Sequence, residues 1–122
     1  MSGPKFLIFI SSVQKEMSNE RRVVGDFISN DPLLKRYFDV FLFENLPAKD
    51  RRADQIYLDE VNRCSIYLGI FGEEYGSEDD AGVSPTEREF DRASKRAKER
   101  LIFVKGDLDK ARKPKMRALV QK

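Results

Sequence analysis

The chain has 122 residues, the size of one globular domain, and carries a formal net charge of +2. Hydrophobic residues make up 40% and charged residues 36%, with 9 Phe and 4 Tyr, which supports a packed core under a charged surface and excludes disordered, collagenous and coiled-coil classes. One cysteine, Cys64, excludes an internal disulfide and a multi-cysteine metal site, and the absence of histidine removes the commonest general base and metal ligand; no metal site is expected, and any chemistry falls to carboxylates, hydroxyls and backbone amides.

The first residues lead into an apolar stretch too short for a membrane span of ~20 residues or a secretory leader, so the chain is read as cytoplasmic, with no membrane contact. Phe6-Leu7-Ile8-Phe9-Ile10 is a continuous apolar run closed by Ser11-Ser12, the pattern of a strand buried on both faces of a parallel sheet. Val13, Met17, Val24, Phe27 and Ile28 then recur at helical spacing up to Asn30-Asp31-Pro32, where proline cannot continue a helix. Residues 38–43 read as a second strand, followed by a proline-punctuated loop over 44–48. A second helix presents Ala53, Tyr57, Val61 and Cys64 on one face, with Asp50 as cap. The third strand is Ser65 to Phe71, closed by Gly72. Ser84-Pro85-Thr86-Glu87 signals a helix start, with an N-cap serine, proline at the first position and a glutamate three residues after the cap; the inner stripe of that helix is Phe90, Ala93 and Ala97. Leu101-Ile102-Phe103-Val104 reads as the fourth strand, and a basic helix begins near Pro114.

This alternation predicts an α/β fold: a flavodoxin-like three-layer sandwich with a parallel sheet of four to five strands covered on both sides. Residues 1–104 read as the α/β domain. Residues 105–122 read as a basic C-terminal helix or linker leading to further domains beyond this chain. Charge is unevenly spread. Between Glu73 and Glu89 seven acids face one base, Arg88, whereas from Lys105 to Lys122 seven bases face two acids. The basic tail is read as a solvated linker or helix face, not a nucleic-acid contact, because no aromatic residues interleave to stack bases.

In open α/β sheets, ligands bind beyond the carboxyl ends of the strands, at the switch point between strands one and three. That rule selects Ser11 and Ser12 after strand one, Gly72, Tyr75 and Gly76 after strand three, and Ser84 and Thr86 at the following helix start. Glu89 stands out among the carboxylates, because it flanks the inward stripe of that helix near the strand ends. The alternative for Glu89 is a surface residue bonded to Arg92 or Arg88. Glu87 is better explained as a capping residue. Glu20 and Arg21 both fall between Met17 and Val24 on the inward side of the first helix and are expected to form a mutual or interhelical ion pair. Cys64, on an apolar stripe with no histidine partner, reads as a buried structural cysteine.

Four motifs occur in order over nearly the whole chain: Phe9-Ile10-Ser11-Ser12, Glu20-Arg21, Ile66 to Gly72 with Tyr75-Gly76, and Ser84 to Phe90 with Ala93. In this the sequence resembles a bacterial domain-of-unknown-function family related to TIR domains. The resemblance implies a flavodoxin-like fold at the N-terminus of larger proteins, ahead of signalling ATPase modules or DNA-associated regulator or helicase-like modules. It also implies one of two functions. The first is a signalling module that self-associates or contacts other protein domains and binds a nucleotide such as NAD. The second is a glycohydrolase or ribosyltransferase acting on NAD or a related nucleotide. Glu89 to Ala93 reproduces the Glu-x-x-x-Ala spacing of TIR enzymes and nucleoside deoxyribosyltransferases, which implies Glu89 as the catalytic residue and Ser11, Ser12 and Tyr75 as lining a nucleotide cleft. The chain has no tryptophan, so it lacks the tryptophan-cysteine pair of TIR enzymes.

Overall fold

A computed structural model describes residues 5–42, 53–106 and 112–122, with side chains from residue 58 onward in the second of these segments. The elements are β1 (Phe6–Ser11), α1 (Ser18–Asn30), the single turn α2 (Leu34–Tyr37), β2 (Phe38–Phe41), α3 (Ala53–Arg63), β3 (Ile66–Phe71), α4 (Pro85–Lys95), β4 (Glu99–Val104) and α5 (Pro114–Val120). All strand pairings are parallel, in the order β2-β1-β3-β4, so β1 and β3 are central. This is the flavodoxin-like α/β sandwich expected from the alternation of strand and helix patterns. The Asp50 cap, the loop over 44–48, Phe43, and the Ala53 and Tyr57 side chains fall outside the described residues or side chains.

Strand periodicity divides the core in two. Even and odd positions of β3 point to opposite faces, so Leu68 and Ile70 join Ile8, Ile10, Met17 and Ile28 under α1, while Tyr67 and Phe71 join Phe9, Val61, Phe90 and Ala93 under α3 and α4. On that second face, register partners Phe41, Phe9 and Tyr67 lie side by side across three strands, with ring centroids 5.3 and 6.3 Å apart, and Phe90 meets Tyr67 edge-on at 6.1 Å. α5 adds Met116 and Leu119 to the same cluster. Cys64 is also buried there, and burial pushes its thiol above its ordinary pKa. No described helix is long and apolar enough to cross a membrane.

Four expectations are corrected. The first helix does not begin at Val13: a separate turn, held by the Met17 N–H donating to the Val13 carbonyl (2.9 Å), precedes α1 and drops Met17 into the core. Phe27 is 61% exposed: it lies on the flank of α1, about 100° round the helix from Ile28, and only Val24 and Ile28 pack onto the sheet. Ala97 does not continue the stripe of α4. The helix ends at Lys95, and Ala97 turns the chain into β4 with a left-handed φ of 54°. β4, finally, is not covered on both sides: all six of its residues are exposed, since among the described residues α1 and α2 pack against β2 at the opposite side of the sheet and α4 touches β4 only in part.

Candidate functional site

β1 and β3 end side by side, with Ser11 opposite Gly69, and α4 starts above them. Ser84 caps α4, its hydroxyl accepting from the Glu87 N–H at 3.2 Å. The return half of the expected capping box is replaced. The Tyr75 hydroxyl accepts from the Ser84 N–H (3.2 Å) and donates to the Glu87 carboxylate (2.7 Å), so a tyrosine sits between cap and acid. Gly76 takes a φ of +94°, which only glycine adopts readily, and this bend brings the loop back past Val13 to the start of α4.

With α4 so placed, Glu89 faces inward. It is 4% exposed, and the Ser11 hydroxyl donates to it at 2.6 Å. The alternative pairing with arginine is not formed: Arg88 bonds Asp79 and Arg92 bonds Asn62. Burial pushes the Glu89 carboxyl up to about 8, against the opposing pull of the Ser11 hydrogen bond and the Arg21 charge. The Tyr67 hydroxyl lies buried nearby with no hydrogen-bond partner among the described residues, and burial, with the Glu89 charge adding to it, keeps the phenol well above its usual range. Glu87, two residues from Glu89, shows the opposite balance. Burial pushes its carboxyl up, but hydrogen bonds from Lys122 and Tyr75 outweigh this and hold it below its ordinary value.

Glu89 and Thr86 form one wall of a cavity of about 680 Å³ over the strand ends. Phe9, Ile10 and Phe41 supply an apolar side, and Ser12 and Arg21 a polar one. Arg21 is buried, and its guanidinium donates to the Ser12 hydroxyl at 2.9 Å. Of the mutual or interhelical pairing expected for Glu20 and Arg21, the mutual pair is not formed: consecutive helical residues point about 100° apart, so Arg21 turns in while Glu20 turns out to bridge Lys105. Glu16 lines the same cavity, its carboxylate accepting from the N–H groups of Glu73 (2.8 Å) and Glu74 (3.3 Å). Gly72 makes room for this contact, since a Cβ there would lie 2.4 Å from Met17 Cε and 2.6 Å from a Glu16 carboxylate oxygen.

Of the residues selected from sequence, Ser12, Gly76, Thr86 and Glu89 line the cavity, and Ser11 stands directly behind Glu89. Gly72, Tyr75 and Ser84 do not line it; they hold the loop and helix that do. Sequence reasoning did not include Arg21, Phe41 and Glu16 in the site. Arg21 was legible as a charge on an apolar stripe, whereas Phe41 reads as mid-strand in a strand over residues 38–43 and ends β2 only in the structure. Glu16 had no signal, because its partners are backbone amides 57 and 58 residues away.

The chain is thus an α/β domain of the flavodoxin-like type, with a partly apolar, partly polar cavity at the strand ends of its parallel sheet. The chain belongs to the family described as "Domain of unknown function (DUF4062)", whose model matches residues 7–122. No curated protein and no solved structure matches it.

Proposed function

We propose that this domain is a TIR-like signalling and interaction module that takes a nucleotide in the strand-end cavity and passes the bound state to other protein domains. One observation carries the reading: a buried carboxyl, Glu89, forms part of the wall of a cavity whose other side offers the Arg21 guanidinium and an aromatic surface. A nucleotide supplies the complementary parts. Its base fits the Phe9 and Phe41 side, its ribose hydroxyls pair with Glu89, and its phosphate is attracted to Arg21. NAD is the nucleotide to try first, on the TIR resemblance. A time course of proton NMR spectra of NAD with concentrated protein tests this. The expected outcome is broadened or shifted NAD resonances without release of nicotinamide, lost in Arg21→Met; unaltered NAD spectra overturn it.

The second reading, NAD glycohydrolysis or ribosyl transfer, is favoured by the seclusion of Glu89, since a carboxylate shielded from bulk water stabilises a developing cation more strongly. In that reaction the ribosyl C1′–N bond breaks and its electron pair leaves on the pyridinium nitrogen. Above pH about 8, where its carboxyl is ionised, Glu89 faces the cationic ribosyl carbon, and water adds its hydroxyl there while its proton passes to solvent, so the rate is expected to rise with pH through that value. Growth of free nicotinamide that disappears in Glu89→Gln would establish this reading over the first.

A further inference from the structure

β4 is the outer strand of the described sheet, and it is apolar without being covered. Leu101, Ile102, Phe103 and Val104 are all exposed, from 39% at Ile102 to 57% at Phe103. Register with β3 tells the faces apart. Leu101 and Phe103 pair with Leu68 and Ile70 and point toward the α1 layer, while Ile102 and Val104 pair with Gly69 and Phe71 and point toward the other. On the α1 side, Val23 and Phe27 are also exposed; they follow Glu20 by one and two turns, on the strip of the helix whose Glu20 reaches Lys105.

The outward main-chain groups of β4 are equally specific. The Lys105 N–H donates to the Phe71 carbonyl at 2.7 Å, continuing the ladder past the end of the strand. By strand alternation, Glu99, Leu101 and Phe103 then direct their amides and carbonyls to β3, and those of Arg100, Ile102 and Val104 face the open edge. Three charges flank the apolar strip: Glu99 and Lys105, the latter also bonded to Glu20, lie on the α1-side face with Leu101 and Phe103, while Arg100 lies on the other face and donates to Ser94 of α4.

We propose that this edge pairs with the same edge of a second copy of the chain, in an antiparallel, two-fold arrangement centred on Ile102. In that register Ile102 faces the partner's Ile102, and Arg100 and Val104 face the partner's Val104 and Arg100. These are the residues whose main-chain groups point outward, so they form the hydrogen-bonded pairs. The intervening residues form the closer, non-hydrogen-bonded pairs: Leu101 meets the partner's Phe103, and Glu99 meets the partner's Lys105, at both ends by symmetry. A shift of two residues in either direction keeps the main-chain bonds possible but removes both opposite-charge pairs, so charge fixes the register. The two sheets then join into one of eight strands. No β4 residue lines the strand-end cavity, so the inference does not depend on what that cavity binds.

Sedimentation equilibrium of the 122-residue chain from micromolar to submillimolar concentration is expected to show a monomer–dimer equilibrium. Glu99→Lys places like charges at both ends and is expected to weaken the dimer about tenfold, and Glu99→Lys combined with Lys105→Glu to restore it. Independently of charge, Ile102→Cys brings two thiols together at the two-fold axis with Cα atoms about 5.5 Å apart, within disulfide reach, whereas Val104→Cys does not. Under diamide, Ile102→Cys is expected to cross-link into a covalent dimer well before Val104→Cys. A monomer at every concentration, or a dimer that fails either the charge test or the cross-linking test, overturns the proposal.

Discussion

The central strands and the outer strand of this sheet carry the same kind of sequence and meet opposite surroundings. Ile66 to Phe71 and Leu101 to Val104 are both continuous apolar runs, yet all but the first residue of β3 are buried and every residue of β4 is exposed. The difference teaches that a continuous apolar run records suitability for a strand flanked on both faces, while burial itself comes from the neighbours the topology supplies. β3 has a strand on each side and helices on both faces; β4 has a strand on one side, and among the described residues α4 reaches it through Arg100, which donates to Ser94 and lies over the Phe90 ring. The polar residues follow the same division. Ser11 and Glu89, at the centre, are joined by one buried hydrogen bond, while at the rim Glu99 is exposed and Lys105 forms an exposed ion pair with Glu20.

The strongest test of this contrast is a pair of truncations. Phe71→Ala empties a site in the closed core and is expected to cost about 3–5 kcal/mol, whereas Phe103→Ala on the open strand should cost about 1 kcal/mol or less. Urea denaturation at dilute protein concentration measures both, and equal losses would break the comparison. The next effect belongs to Glu89. With its carboxyl raised to about 8 in the folded state against 4.5 in the unfolded chain, the folded protein keeps a proton that the unfolded chain has released, so stability falls as pH rises through that window and levels above it. The slope approaches roughly 1 kcal/mol per pH unit, and Glu89→Gln is expected to flatten it while leaving stability at pH 4 little changed. Coincident stability–pH curves for the two proteins would show that Glu89 is not the group responsible. The smallest effect is at the start of α4: Ser84→Ala removes the cap on the Glu87 amide and is expected to cost about 1 kcal/mol, again by urea denaturation. A loss nearer zero would mean that the Tyr75 hydroxyl alone secures the helix start.

Much of the site was readable from the chain because its signals are local. The serines closing β1, the glycines around Tyr75 and the Ser84-Pro85 start each depend on residues within a turn of one another, and the strand-end rule gathered them at one end of the sheet. Glu89 was placed correctly by its phase on α4, but its partner was not, because choosing Ser11 over Arg88 or Arg92 requires knowing the separation of β1 and α4. Glu16 lay beyond sequence reasoning for the same reason: its carboxylate is held by amides that approach it only after β3 is laid beside β1.

The sequence by itself determined the alternation of strand and helix, the parallel sheet and the strand ends where the cavity lies, since these follow from hydrophobic period, caps and breakers acting over a few residues. Only the tertiary structure decided that Arg21 rather than Glu20 turns inward, that Glu89 loses water while Glu87 keeps its cations, and that β4 stands open at the rim. Those outcomes depend on desolvation and on pairings between residues far apart in the chain. Such energies are set by which surfaces the packed elements bring together, and no local pattern encodes them.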